Sequence, residues 1–276
     1  MGIKIVTDSG CDLPGEMESG LDIQYVPLIF RFGMEEYADK SIPMKTFLEM
    51  VSKTWPYTSA PSPGDYNRVF RQCLDHDDQI ICITLTSKHS TSYSSALLAS
   101  GQFPPGQVTV IDSLSLSIGQ GLQVRAAAQA AQRGESVASI TAMLNDLQQR
   151  SKLYIILDTL EYLVRGGRAG HLAGIVASIL KIRPVLTLVN GQLTLLEKPR
   201  GRNASKQRLL ELALQNFPAE AVLVGHVDCE EEAREIAASL AQQSGMPLEN
   251  IPFVETGMAI ATHGGPGTLG IVAIPR

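Results

Sequence analysis

The chain has 276 residues, enough for one large domain or two ordinary ones. Hydrophobic residues make up 44% of it and aromatic residues only 5%, which predicts a largely aliphatic core. The formal net charge of -5 and the lack of any basic stripe argue against a phosphate-backbone partner, so we expect no nucleic-acid binding.

Neither an export signal nor a membrane span is predicted. The N-terminus, MGIKIVTDSG, lacks both a charged and an apolar signal region. The most apolar helical stretch, residues 172–180, is too short to cross a bilayer. The four cysteines form no CxxC pair and no cluster with histidine, which disfavours a disulfide framework or a zinc site. These features predict a cytoplasmic protein with no transmembrane segment.

Strands and helices alternate through the first half of the chain. A helix is expected to begin after Ser62, with Pro63 in its first position. The pattern predicts strands at 3–8, 23–32, 35–38, 79–84 and 108–112, and further helices at 43–53, 92–100, 117–133 and 136–150. This alternation is typical of a parallel sheet covered by helices on both faces.

The second half predicts a second α/β domain with a mixed sheet, because it contains a hairpin turning at Asn190-Gly191. The other predicted elements are a strand at 153–157, a helix ending near Gly166-Gly167, helices at 169–181, 205–216 and 230–243, and a strand at 221–226. A loop at 262–267 and a final strand close the chain. The predicted fold class is therefore α/β with two domains, residues 1–150 and 151–276, and a ligand tunnel between them.

Several motifs of well-known enzymes are excluded. Gly265 to Gly270 match GxGxxG formally, but a strand follows where the dinucleotide motif needs a helix. The sequence contains neither a P-loop nor a GxSxG nucleophile elbow. His226, Asp228 and Cys229 carry metal-ligating groups, but Asp228 is more simply a helix N-cap. We therefore predict no metal.

Three hydroxyl-rich loops remain as candidates for a site. They contain Thr58-Ser59, the segment TSKHSTSY at 86–93, and His263. Loops at the carboxyl ends of strands form the ligand crevice of open α/β sheets, and helix N-termini favour anions. The loops together predict a carboxylate or phosphate site, although capping is the simpler interpretation for any single hydroxyl. The apolar helix at 169–181 fits either a core helix or the wall of an apolar cavity.

Seven segments of the chain resemble the DegV family, in family order and over essentially the whole length. They are IVTDSGCDLP at 5–14, TSAPSPGDY at 58–66, SKHSTSY at 87–93, VIDSLSLSIGQG at 110–121, EYLVRGGRAGHLAGIVASILKIRPVL at 161–186, EKPRGR at 197–202 and HGGPGTLGI at 263–271.

This resemblance implies two α/β domains with a lipid between them. Family members bind a long-chain fatty acid in an interior tunnel, and the best understood are similar to the acyl-binding subunit of bacterial fatty acid kinase. The chain is thus expected to bind an acid such as palmitate, stearate or oleate, with no further cofactor. It would present the carboxylate to a separate kinase subunit for acyl phosphate formation in phospholipid metabolism. On this interpretation the chain is not itself an enzyme and has no catalytic residue.

The same resemblance assigns roles by position. The predicted carboxylate contacts are Thr58, Ser59, Ser90, Thr91, His263 and Gly264. Arg168 and Arg200 match family arginines near the tunnel mouth, where they would contact the acyl phosphate or the kinase partner. The chain departs from the family at three positions: Thr91 replaces a glycine, Gly170 a serine and Gly264 a threonine.

Two alternatives come from other functional classes. One is an acyl hydrolase with Ser90 as nucleophile and His263 as base, against which count the missing elbow and the lack of an evident third group. The weaker one is a small-molecule kinase domain of the dihydroxyacetone type, whose fold is related. A stably bound fatty acid would argue against that kinase.

Overall fold

The computed structural model describes residues 2–74, 78–172 and 183–276. In chain order the first half contains β1 (Ile3–Asp8), α1 (Gly15–Glu18), β2 (Ile23–Val26), β3 (Ile29–Phe32), β4 (Glu35–Ala38), α2 (Met44–Val51), β5 (Tyr57–Ser59), α3 (Pro63–Cys73), β6 (Gln79–Thr84), α4 (Ser92–Ser100), β7 (Val108–Asp112), α5 (Ser117–Gln132) and α6 (Val137–Arg150).

The second half contains β8 (Lys152–Ile156), α7 (Glu161–Arg165), a 3₁₀ turn (Gly170–Leu172), β9 (Val185–Val189), β10 (Gln192–Glu197), α8 (Arg202–Leu214), β11 (Ala219–His226), α9 (Glu230–Ser244), a second 3₁₀ turn (Leu248–Asn250), β12 (Phe253–Glu255), α10 (Met258–Gly264) and β13 (Leu269–Pro275). None of the helices in the described ranges is long and apolar enough to cross a membrane.

The first half forms the predicted parallel sheet, with strand order β2-β1-β6-β7. Its central strands are rich in isoleucine and are buried on both faces. Tyr66 and Phe70 of α3 cover one face together with α4, while Ile140 and Leu144 of α6 cover the other together with α5. The prediction of helices on both faces is confirmed. Ser62 caps α3 through a reciprocal bond with Asp65, also as the sequence predicts.

The second half forms a mixed sheet with strand order β10-β9-β8-β13-β11-β12. Its hairpin turns at Asn190-Gly191, where both residues have positive φ as this tight turn requires. One face packs on α8 and α9, and the other shares an aliphatic core with α5 and α6. The helices α5 and α6 therefore lie between the two sheets.

We propose residue 150, at the end of α6, as the domain boundary, since the four-stranded sheet precedes it and the six-stranded sheet follows it.

Two predictions in the first half are wrong in detail. Residues 23–32 form two strands in different sheets, because the chain leaves the parallel sheet after Val26 and passes Pro27. Thr58 and Ser59 lie on a short strand rather than in a loop. β5 pairs with β3 in a separate three-stranded antiparallel sheet that also includes β4. These pairings join distant segments, so local patterns do not reveal them.

Two predictions in the second half also need correction. Residues 262–264 are the last turn of α10 rather than a loop, and the helix stops at Gly265, whose φ is 78°. Asp228 is not the cap of α9, since Cys229 occupies that position and Asp228 has a φ of 51°. In the predicted helix at 169–181, Ala169 is buried and a 3₁₀ turn follows; the rest lies outside the described residues.

Candidate functional site

A cavity lies where the three sheets approach one another. Its walls come from β5, the loop after β6, the start of α5, α10 and the inner face of the six-stranded sheet. Most lining side chains are aliphatic, and they include Leu28, Leu85, Leu116, Ile118, Leu153, Ile155, Leu157, Leu163, Leu186, Leu193 and Ile260. Such a wall suits a hydrocarbon chain.

The polar lining groups include most of the predicted site residues. Thr58, Ser59, Ser90, Arg168, His263 and Gly264 all line the cavity. The hydroxyl of Thr58 lies 2.9 Å from Nε2 of His263. Thr91 and Arg200 do not belong to the described lining. Thr91 is exposed at the start of α4, and Arg200 is exposed just before α8. The structure therefore brings together side chains from opposite ends of the chain, but leaves these two outside.

His263 is held in its neutral form. Burial, together with the nearby charges of Arg168 and His89, lowers the pKa of its imidazole to about 3. Its Nδ1 is buried and has no hydrogen-bond partner among the described residues. A Cβ built on Gly166 would lie 2.1 Å from this nitrogen, so only glycine at 166 lets the end of α7 approach the ring. The imidazole is thus a neutral hydrogen-bonding group rather than a cation.

We expect His263 to remain uncharged well below neutral pH. Its folded pKa of about 3 lies below the ordinary value of 6.5, so folding stability is fully present above pH 6.5 and decreases as the pH falls. An NMR titration of the Cε1–H signal, assigned with His263→Gln, should show no midpoint above pH 4. The urea-unfolded chain is the control and should titrate near the ordinary value. A midpoint near 6.5 in the folded protein would contradict the neutral imidazole.

Ser90 combines a local and a cavity role. Its hydroxyl accepts a hydrogen bond from the backbone N–H of Ser92 at 3.1 Å and lies 2.9 Å from the hydroxyl of Ser92. Thr91 occupies the N-cap position of α4 by its backbone, but its side chain makes no capping bond. The Ser90 hydroxyl therefore accepts a hydrogen bond from the first turn of α4 and also lines the cavity. The same oxygen can cap the helix and contact a ligand.

Arg168 is the cation of the cavity. Its Nη1 donates to the carbonyl of Gly166 at 2.9 Å and its Nε to the carbonyl of His89 at 3.3 Å. The side chain is half-buried, and burial lowers the pKa of its guanidinium. Among the described residues that line the cavity there is no Asp or Glu. The described lining therefore carries the positive charge of Arg168 and no negatively charged side chain.

A network of buried carboxylates that the sequence motifs do not indicate lies behind the cavity. Asp12 pairs with Lys40 at 2.9 Å and accepts a bond from the N–H of Gly257 at 3.0 Å. Asp39 accepts a bond from the N–H of Ala259, also at 3.0 Å. Both carboxylates therefore fix the start of α10, whose last turn carries His263. The segment DSGCD at 8–12 directly follows a buried strand and contains Asp8 and Asp12, which makes it a local signal because acidic residues are seldom buried unless they are paired.

Asp8 is the third carboxylate of this network. It accepts bonds from the N–H groups of Leu85 at 2.8 Å and Gly10 at 3.1 Å, and from Gln120 at 3.2 Å. Full burial raises the pKa of its carboxyl to about 6. Leu85 lines the cavity, so Asp8 positions one wall through the backbone.

Arg202 explains why the C-terminal glycine loop is ordered. Its guanidinium donates to the carbonyl of Gly267 at 2.6 Å and pairs with Asp158 and Glu232, both at 3.1 Å. The segment EKPRGR contains Arg202, although the family resemblance assigns a role only to Arg200 of this segment. The glycine at position 264, where the family usually has a threonine, has a steric reason. A Cβ at this position would lie 2.9 Å from the hydroxyl oxygen of Thr268.

No group of three or more potential metal ligands is found within residues 2–74, 78–172 and 183–276.

A family model described as "Uncharacterised protein, DegV family" matches residues 2–276. The chain belongs to the DegV family. A DegV domain-containing protein of Caldanaerobacter subterraneus is 32% identical, over 98% of this chain and 97% of the relative.

Solved DegV family structures share the complete fold. A fatty-acid-binding DegV family protein from Thermus thermophilus is 31% identical, with a TM-score of 0.91 and full coverage of both chains. The B3 protein of Streptococcus pneumoniae fatty acid kinase, solved with linoleic acid, is 24% identical, with a TM-score of 0.88 and full coverage of both chains. The parallel four-stranded sheet and the mixed six-stranded sheet are thus those of the family.

Proposed function

We propose that this protein binds a long-chain fatty acid in the cavity and presents its carboxylate to a separate kinase subunit. The observation that carries the first part is an aliphatic cavity whose described lining has hydroxyls, the two histidines His89 and His263 and the arginine Arg168 as its polar side chains, and no acidic residue. The fatty acid binding of the 31% identical Thermus thermophilus protein supports it. An amphiphilic anion needs an apolar wall and hydrogen-bond donors at one end, and the cavity supplies both.

The acyl chain supplies most of the expected affinity. Burying about fourteen methylenes at about 0.8 kcal/mol each stabilises the complex by about 11 kcal/mol before the cost of association. Each hydrogen bond to the ionised carboxylate adds about 1.5 to 3 kcal/mol, which offsets much of its desolvation. The polar residues therefore orient the head group, and the hydrocarbon holds the ligand.

Presentation to a kinase is the second part of the proposal. Thr58, Ser90 and His263 offer neutral hydrogen-bonding groups that suit a carboxylate, and Arg168 adds charge that suits an acyl phosphate better. We assign Arg200 to partner contact, because it is exposed and does not belong to the described cavity lining. The family resemblance supports the same division of roles.

Native mass spectrometry tests the binding. The purified chain should carry the mass of a fatty acid, lose it on organic extraction and regain it with added palmitate or oleate. A mass equal to the bare chain in all three samples would refute the proposal.

We expect Ser90→Ala to weaken ligand retention by about tenfold, since the lost bond involves a charged acceptor. The same change removes a cap from α4, which costs about 0.5 to 2 kcal/mol of stability. Ser94→Ala is the matched control, because Ser94 lies on the same helix, is exposed and bonds to the carbonyl of Thr91. Dissociation of a fluorescent fatty acid measures retention. Equal dissociation rates in both variants would assign Ser90 to capping alone.

The hydrolase alternative gains no support from this geometry. Ser90 bonds to Ser92 and His263 to Thr58, and no bond joins Ser90 to His263 in the described structure. A histidine with a pKa near 3 is also a weak general base at neutral pH. Incubation with acyl esters separates the two functions, because turnover would favour the hydrolase and retained free acid the binding protein.

A further inference from the structure

The loop after β6 forms a compact turn that carries Ser90. The backbone N–H groups of His89 and Ser90 both donate to the carbonyl of Thr86, each at 3.2 Å. At the start of the turn, the hydroxyl of Thr86 donates to the carbonyl of Gly191 at 3.1 Å, which attaches the turn to the tip of the β9–β10 hairpin. This bond holds only one end of the turn against the hairpin, and Ser90 lies at the other end.

The ring of His89 attaches that other end. Its Nε2 accepts a hydrogen bond from the backbone N–H of Leu193 at 2.9 Å, so this nitrogen carries no proton. Leu193 is buried and lies on β10, at the edge of the six-stranded sheet. Its N–H points away from β9, and a buried donor without an acceptor destabilises a fold. The ring therefore satisfies the edge of β10 and holds the turn through the same bond.

The same histidine also contacts the cation of the cavity. Nε of Arg168 donates to the carbonyl of His89 at 3.3 Å. Ser90 follows His89 directly in the chain, and all three residues line the cavity. A displacement of His89 would consequently move the hydroxyl of Ser90 and remove one of the two carbonyls that hold the guanidinium of Arg168.

We propose that His89 is a positioning residue, whose ring bond to the N–H of Leu193 places Ser90 and Arg168 at the head-group end of the cavity. This inference rests on the proposed binding of a fatty acid and its presentation to a kinase. Ser90 is assigned to the carboxylate and Arg168 to the acyl phosphate, so loss of the ring bond affects ligand retention and phosphoryl transfer together. His89 acts through these two side chains and not by contact with the reacting atoms.

Two unbranched substitutions test the ring bond on the full chain. His89→Gln and His89→Met have side chains of similar length, but only the glutamine offers a strong acceptor to the N–H of Leu193. His89→Met should release a fluorescent fatty acid about tenfold faster than wild type, because a hydrogen bond to the charged carboxylate is misplaced. Its kcat for acyl phosphate formation with a compatible kinase subunit should fall by about 10- to 100-fold. His89→Gln should recover most of both values.

A double-variant comparison separates positioning from a general loss of stability. If His89 acts through Arg168, His89→Met should reduce kcat far less in an Arg168→Ala background than in wild type, because residues that share one role are not additive. Thr194→Val is the control on β10. The hydroxyl of Thr194 bonds to the carbonyl of Gln192 and Thr194 does not belong to the described cavity lining, so retention and kcat should stay unchanged.

Two results would overturn the inference. One is wild-type retention and kcat in His89→Met, and the other is an equal reduction of kcat by His89→Met in both backgrounds. A wild-type protein that retains no fatty acid would instead refute the proposed function, before any variant is compared.

Discussion

Replacing Arg168 by alanine should leave fatty acid retention near normal while acyl phosphate formation with a compatible kinase subunit falls by about 10²- to 10³-fold. The guanidinium adds little stabilisation to a carboxylate that already accepts hydrogen bonds from neutral donors. The transferring phosphoryl group carries more negative charge and its oxygens match the two-pronged geometry of an arginine, so the loss of Arg168 removes more stabilisation from it. The bonds from Arg168 to the carbonyls of Gly166 and His89 hold this fork in place.

Two further variants control this experiment. Arg168→Lys keeps the charge without the fork and should recover only a small part of the rate. Arg200→Ala removes an exposed charge outside the described cavity lining, so it should raise the KM for the protein substrate and leave kcat almost unchanged. Normal phosphorylation by Arg168→Ala would show that Arg168 only supports the backbone. A large loss of fatty acid retention instead would make it a carboxylate ligand.

The second large effect concerns stability and comes from Asp8. The pKa of Asp8 is about 6 in the folded protein, compared with the ordinary value of 3.8 that applies to the unfolded chain. The folded chain therefore binds the proton of Asp8 more tightly than the unfolded chain does. The free energy of unfolding therefore falls as the pH rises from about 4 to about 6, by about 3 kcal/mol, and stays lowered above that. Asp8→Asn removes this dependence, although it also weakens folding, because the amide keeps only one of the two oxygens that accept bonds from Leu85, Gly10 and Gln120.

Urea unfolding of wild type and Asp8→Asn across this pH range measures the effect. The difference between the two proteins cancels the opposite contribution of His263, which both contain. Asp22→Asn is the surface control, because the hydrogen bond and charge of Lys4 lower the pKa of Asp22, and its contribution must change with pH in the opposite direction. If the difference in unfolding free energy between wild type and Asp8→Asn does not change with pH, Asp8 stays ionised in the fold.

Much of the architecture follows from local sequence. β1, β6 and β7 coincide with the predicted strands, and α4 begins and ends as predicted. The Asn190-Gly191 hairpin is a property of two residues that tolerate positive φ. These elements depend on periodicity and turn chemistry within about ten residues, which a single sequence displays directly. The resemblance to the DegV family is also visible in the sequence, because it rests on seven contiguous segments.

The tertiary structure alone decided how the site is assembled. Thr58 and His263 are separated by 205 positions and meet only because β5 joins β3 and α10 packs beside them. The contact between Gly166 and the ring of His263 depends on the distance between elements that are remote in sequence. Asp12, Asp39 and Arg202 likewise act through bonds to distant backbone groups. Residue type indicates which chemistry is available, but long-range packing determines which groups share a cavity.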